Sequence, residues 1–154
     1  MSLETQPDFV ADDEILYRSI PVKTGYDYSS DGQLNFSSSA FQDRYQKPSV
    51  DRAKLCNNDP KHTQQKPTDG VIKLIVGEIR EEIVEVESTP LRQYALDVIP
   101  DPIEASSLQK ANLAHALIIS NPQYHNDTGF RKAQRRLAYI ATQNNPSWLI
   151  PPQE

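Results

Sequence analysis

The chain has 154 residues, a formal net charge of −5 and 37% hydrophobic residues, which allows a real core and argues against general affinity for nucleic acid. Its single cysteine, Cys56, excludes an internal disulfide and a cysteine-based zinc framework. No segment approaches the roughly 20 apolar residues of a membrane helix, and the N-terminus lacks the apolar run of a secretory leader, so the expectation is a soluble, cytoplasmic protein.

Residues 1–13 carry Glu4, Asp8, Asp12 and Asp13 without a balancing cation. They read as a disordered acidic tail ahead of a single domain spanning residues 14–154. In "EILYRSIPV", Ile15, Tyr17 and Ser19 alternate with Leu16, Arg18 and Ile20, as in a strand that Pro21 ends. "GYDYSSDGQ" has the Asp-Gly and serine content of a loop or hairpin turn, and "LNFSSSAF" reads as a short strand running into an irregular segment. Turn formers crowd "NNDPKHTQQKPTDG", which predicts a mobile loop at 57–70 that exposes Cys56 at its start. "VIKLIVGEI" is β-branched and almost continuously apolar, so it predicts a central strand buried on both faces, with Gly77 at a bulge or bend.

"EEIVEVES" continues with strand character, and "QYALDVIP" places Tyr94, Leu96 and Val98 on one face. "LAHALIIS" fits a strand or a buried helix equally well. In "NDTGFRKAQRRLAYIATQNN", Phe130, Ala133, Leu137, Ile140 and Ala141 share a helical face, with Asp127 or Thr128 as the N-cap and Pro146 as the stop. "SWLIPP" supplies Trp148, Leu149 and Ile150 as a tail able to dock on the body. The predicted fold is α+β: a small antiparallel or mixed β-sheet with a C-terminal amphipathic helix packed on one face.

The segment from Phe36 to Ala53 is the most suggestive for function. It interleaves Ser37, Ser39, Ser49, Asp51 and Arg52 with Phe36, Phe41, Tyr45 and Val50, a pattern that suits an ordered polar segment pinned by apolar anchors. The plainer reading is a serine-rich loop whose hydroxyls cap turns. Arg18, then "SSS", then "EVE" resembles the Arg, Ser-x-Ser, Glu-x-Glu layout of arginine-specific ADP-ribosyltransferases. That resemblance implies NAD as cofactor, Arg18 on a phosphate, Ser37 and Ser39 about the nicotinamide with Ser38 between them, and Glu87 in catalysis. Read without it, Glu85 and Glu87 are the solvent face of a strand whose Val84 and Val86 point inward.

Arg131, Lys132, Arg135 and Arg136 lie on adjacent polar rows of the last helix, able to meet nucleic acid, an acidic partner or the protein's own acidic surface. Residues 129–154 carry a net +3, which leaves −8 on the rest. His62, His115 and His125 lack metal-ligand spacing, so no metal is expected. His115, among apolar residues, stands out because burial tunes a histidine's pKa. The preferred reading is a small accessory protein without a cofactor that binds another macromolecule, with a protein as partner. An NAD-using enzyme built on Arg18, Ser38 and Glu87 is the alternative, and nucleic-acid binding through the basic helix is the second.

Overall fold

The computed structural model describes residues 9–143 and 147–154. Period-two alternation builds most of the strands. β1 (Ile15–Ile20), β4 (Ser49–Arg52), β5 (Gly70–Ile75), β6 (Ile83–Val86), β7 (Arg92–Pro100) and β8 (His115–Asn121) form one sheet in the order β5-β1-β4-β8-β7-β6. Every pairing in it is antiparallel. β2 (Tyr26–Tyr28) and β3 (Leu34–Phe36) make a separate hairpin. Its turn includes Gly32 at φ 88°, a left-handed conformation that favours glycine. The fold is α+β, as composition and periodicity predict.

The last helix, α2, spans Asp127–Gln143, and its cap lies one residue before the expected Asp127. Asn126 accepts the Thr128 amide at 3.0 Å, so the asparagine supplies the capping oxygen. Ala133, Leu137, Ala138 and Ala141 of α2 pack into the core with Leu16, Ile72, Leu74, Leu96, Val98 and Ile118 of the sheet. α2 touches both edge strands, β5 and β6, so the helix crosses the whole sheet face. Phe36, Ala40 and Phe41 join that core, which orders the polar segment from Phe36 to Ala53 as its apolar anchors predict.

Two expectations change and one open reading is settled. β5 is an edge strand, not a central one. It is dry because the C-terminal tail covers it: Val71 bridges to Ile150, and Trp148 stacks edge-on against Tyr26 and Phe36. Gly77 lies in a one-turn helix, α1 (Val76–Arg80), where its amide donates to the Asp12 carbonyl at 2.8 Å. "LAHALIIS" resolves to strand, with Ala116, Ile118 and Ser120 turned inward.

Residues 1–8 of the expected tail and Pro146 lie outside the described residues. Residues 9–13 pack onto the domain. Val10 is buried in the core, and Asp12 pairs with Arg80 at 2.7 Å. The 57–70 segment carries a short 3-10 turn at Pro60–His62 and is tied at Thr63, Gln64 and Asp69. No described helix is long and apolar enough to cross a membrane.

Candidate functional site

β1 and β4 pair only at Leu16↔Arg52 and Tyr17↔Asp51. Beyond that point the two strands diverge while β1 stays zipped to β5 through Ile20. A cleft of about 510 Å³ opens at the split, lined among others by Arg18, Ser39, Ser49, Asp51, Asn112 and His115. It draws on both sheet faces, because Arg18 shares a face with Leu16 and Ile20 whereas Ser19 and Asp51 lie on the other.

Arg18 is held by main chain alone. Nε donates to the Ala40 carbonyl at 3.1 Å, Nη1 to Ser49 at 2.8 Å and Nη2 to Gln42 at 3.1 Å. The guanidinium also lies 5.6 Å from the Phe41 ring centroid. No carboxylate of the described residues forms an ion pair with it. Burial lowers its pKa to about 10, partly opposed by the charge of Asp43. The Asp43 carboxylate itself accepts the amides of Tyr45 and Lys47, both at 2.9 Å.

Across the cleft, Asp51 is buried and accepts a hydrogen bond at each oxygen. Thr63 donates its hydroxyl at 2.7 Å and Asn112 its amide at 2.9 Å, one to each carboxylate oxygen. Because the Asn112 Nδ2 is a donor, its Oδ1 is the acceptor facing His62 Nε2 at 2.9 Å, so that nitrogen carries a proton. Strand register sets Asp51 beside His115, with side chains on one face. His115 Nδ1 lies 3.0 Å from both the carbonyl and a carboxylate oxygen of Asp101. Both are acceptors, so Nδ1 is protonated and Nε2 is the ring nitrogen left to the cleft.

The structure therefore gathers Arg18, Ser39, Ser49 and Asp51 with His115. It does not gather the rest of the sequence-predicted set. Ser37 lies outside the cleft lining, bonded to Ser39 at 3.0 Å between hydroxyls. The Ser38 carbonyl receives the Gln134 amide at 3.1 Å, which ties the serine triplet to α2.

Arg52 lies in the interior. It is 1% exposed, and its fork grips Glu14 through Nε and Nη2, each at 2.8 Å. That pair is an internal strut, joined by Nη2 to the Phe9 carbonyl at 2.7 Å. Glu87 follows β6, and β6 lies four strands from β1. That is about 19 Å along the sheet at ~4.8 Å per strand. Arg18, Ser38 and Glu87 do not converge, so the constellation implied by the ADP-ribosyltransferase resemblance is not assembled. Glu85 and Glu87 are exposed and Val84 is buried, as in a strand with one wet face.

The basic row on α2 divides. Arg136 pairs with Glu82 at 2.7 Å and sits over the Tyr139 ring, and Lys132 donates to the Glu85 carbonyl at 3.0 Å. These two pin α2 to β6. Arg131 and Arg135 point outward. Cys56, expected in an exposed loop, is buried, and burial together with the Asp51 charge raises its thiol pKa.

Thr63, Asp101 and Asn112 were missed by sequence reasoning. Each joins the site only through strand register or a loop closing over it, so no local pattern marks them. No group of histidine, cysteine, aspartate and glutamate among the described residues could hold a metal ion. In comparisons with known proteins, no family model, curated protein or solved structure matched the chain.

Proposed function

We propose that the protein acts by binding another macromolecule, a protein, and that a group of the partner enters the cleft between β1 and β4. One observation carries this reading. The polar side chains of the cleft are already fixed by internal hydrogen bonds: Arg18 on three carbonyls, Asp51 on Thr63 and Asn112, His115 on Asp101. A site fixed before binding loses little conformational entropy when a ligand arrives. The rim favours a protein over a free small molecule. Leu108 and Leu113, in the loop that contributes Ile103 and Asn112 to the cleft, are 94% and 66% exposed. Large exposed apolar side chains beside a polar pocket suit a protein contact.

The test is native co-purification with the nuclease step split between two samples. Three forms are compared: wild type, Gln42→Trp and the double variant Arg131→Glu/Arg135→Glu. The Gln42 side chain is exposed at the cleft and only its carbonyl serves Arg18, so tryptophan blocks the mouth without disturbing the core. A stoichiometric protein is expected that survives nuclease, is retained by the helix variant and is lost with Gln42→Trp. Full recovery with Gln42→Trp, or a chain that emerges alone, removes the reading.

A second reading rests on His115. A ring oriented by a carboxylate at Nδ1 leaves Nε2 able to take a proton from a group in the cleft. It predicts turnover of some cleft ligand that His115→Gln abolishes while the ligand still binds. Equal turnover by wild type and His115→Gln would remove it.

A further inference from the structure

The side chains of the cleft are unevenly satisfied. Arginine has five N–H donors, and Arg18 gives three of them to carbonyls. The remaining two, one on each terminal nitrogen, have no partner among the described residues. Carbonyl groups satisfy hydrogen bonds but carry no net charge, and Asp43, whose charge acts on Arg18, forms no ion pair with it, so a half-buried cation stands in the cleft wall. Elsewhere the fold does pair its buried cation: Arg52 faces Glu14 at 2.8 Å.

We propose that the cleft is an oxyanion site, in which the two spare N–H groups of Arg18 and the lining hydroxyl of Ser39 receive a carboxylate or phosphate group carried by a partner protein. The proposal rests on the cleft being the binding site. Two carboxylates line the cleft, Asp43 and Asp51, and each already accepts hydrogen bonds from the protein. Asp43 caps the amides of Tyr45 and Lys47, and Asp51 accepts from Thr63 and Asn112. An acidic side chain and a phosphorylated side chain share the required chemistry. A planar guanidinium with one free N–H on each terminal nitrogen can meet two oxygens of either.

The experiment is an NMR titration of the full chain with sodium acetate and, separately, inorganic phosphate. Ionic strength is held constant, with chloride as the control. The reporters are the Arg18 Nε–H resonance and the amides from Ser39 to Asp43. Saturable shifts confined to those signals support the site. Saturation by acetate alone points to an acidic side chain, and by phosphate alone to a phosphorylated one.

Arg18→Lys, which loses the fork, should weaken the anion about 10-fold or more, as expected for removing a charged hydrogen bond. If that variant does not fold, the wild-type resonances still decide, and Ser39→Ala gives a second, smaller weakening. Shifts that stay linear, match chloride or appear equally at Arg131 and Arg135 overturn the proposal. If anions fail here while Gln42→Trp still removes a captured partner, the oxyanion chemistry is wrong and the cleft remains the binding site.

Discussion

Arg18 and Arg52 stand on neighbouring strands, on the same sheet face, and have opposite fates. Arg52 is closed in with Glu14, its charge matched and its fork filled. Arg18 is anchored by carbonyls, keeps two donors in reserve and borders a cleft. The difference separates a strut from a site. A buried arginine with its own carboxylate serves the fold. One held in place without an ion pair, with donors to spare beside a cleft, is the group on which the proposed binding role rests.

The comparison can be broken most severely at the strut. Glu14→Gln removes the carboxylate that faces the buried Arg52 cation and should lower stability by about 3–5 kcal/mol in urea unfolding. A loss below about 1 kcal/mol, the range of exposed pairs, would mean that water reaches the pair. Arg18→Met removes both a half-buried cation and the donors to three carbonyls. It should cost less, about 1–3 kcal/mol, as for buried groups that lose a hydrogen-bond partner. If it costs as much as Glu14→Gln, Arg18 is as structural as Arg52 and the contrast collapses.

Acid sharpens the same comparison. Burial pushes the Glu14 carboxyl upward, but the Arg52 hydrogen bond, the Ala11 amide and the charges of Arg52 and Lys54 outweigh it and hold its pKa below the ordinary 4.5. A carboxyl depressed in the folded state stabilises above its unfolded pKa, and that share is lost as pH falls through the folded value. Stability should therefore decline as pH falls below 4.5. Glu14→Gln should lack that part of the decline, read from urea midpoints across the acid range. Identical acid profiles for the two proteins would contradict the account.

The smallest effect is expected on α2. Arg131→Ala with Arg135→Ala should change stability by no more than about 0.5 kcal/mol, because both side chains face water. Arg136→Ala, which breaks the Glu82 pair, should cost up to about 1 kcal/mol. A larger loss for the outward pair would mean that they are tied to the body.

Local pattern carried much of the fold. β1, β7 and α2 follow from alternation and helical spacing, because their exposed and buried faces differ in polarity along the chain itself. β5 misled for a physical reason. Its continuous apolar run means burial on every side, but a docked tail can supply that cover as well as a neighbouring strand can. The site was only half legible. Arg18, Ser39, Ser49, Asp51 and His115 stand out as polar groups in or beside strands, while Arg52 carries the same surface signature and proves internal. What sorts them is a carboxylate 38 positions away. Asp101 and Asn112 reach the cleft through register and loop closure, which no short stretch encodes.

The most direct test of the central claim is hydrogen–deuterium exchange on the co-purified complex against the free chain. The account predicts added protection at Ser39–Asp43, Ser49–Asp51 and Asn112–His115, with α2 unchanged. Protection centred on Arg131–Tyr139, with the cleft exchanging as in the free chain, would contradict it.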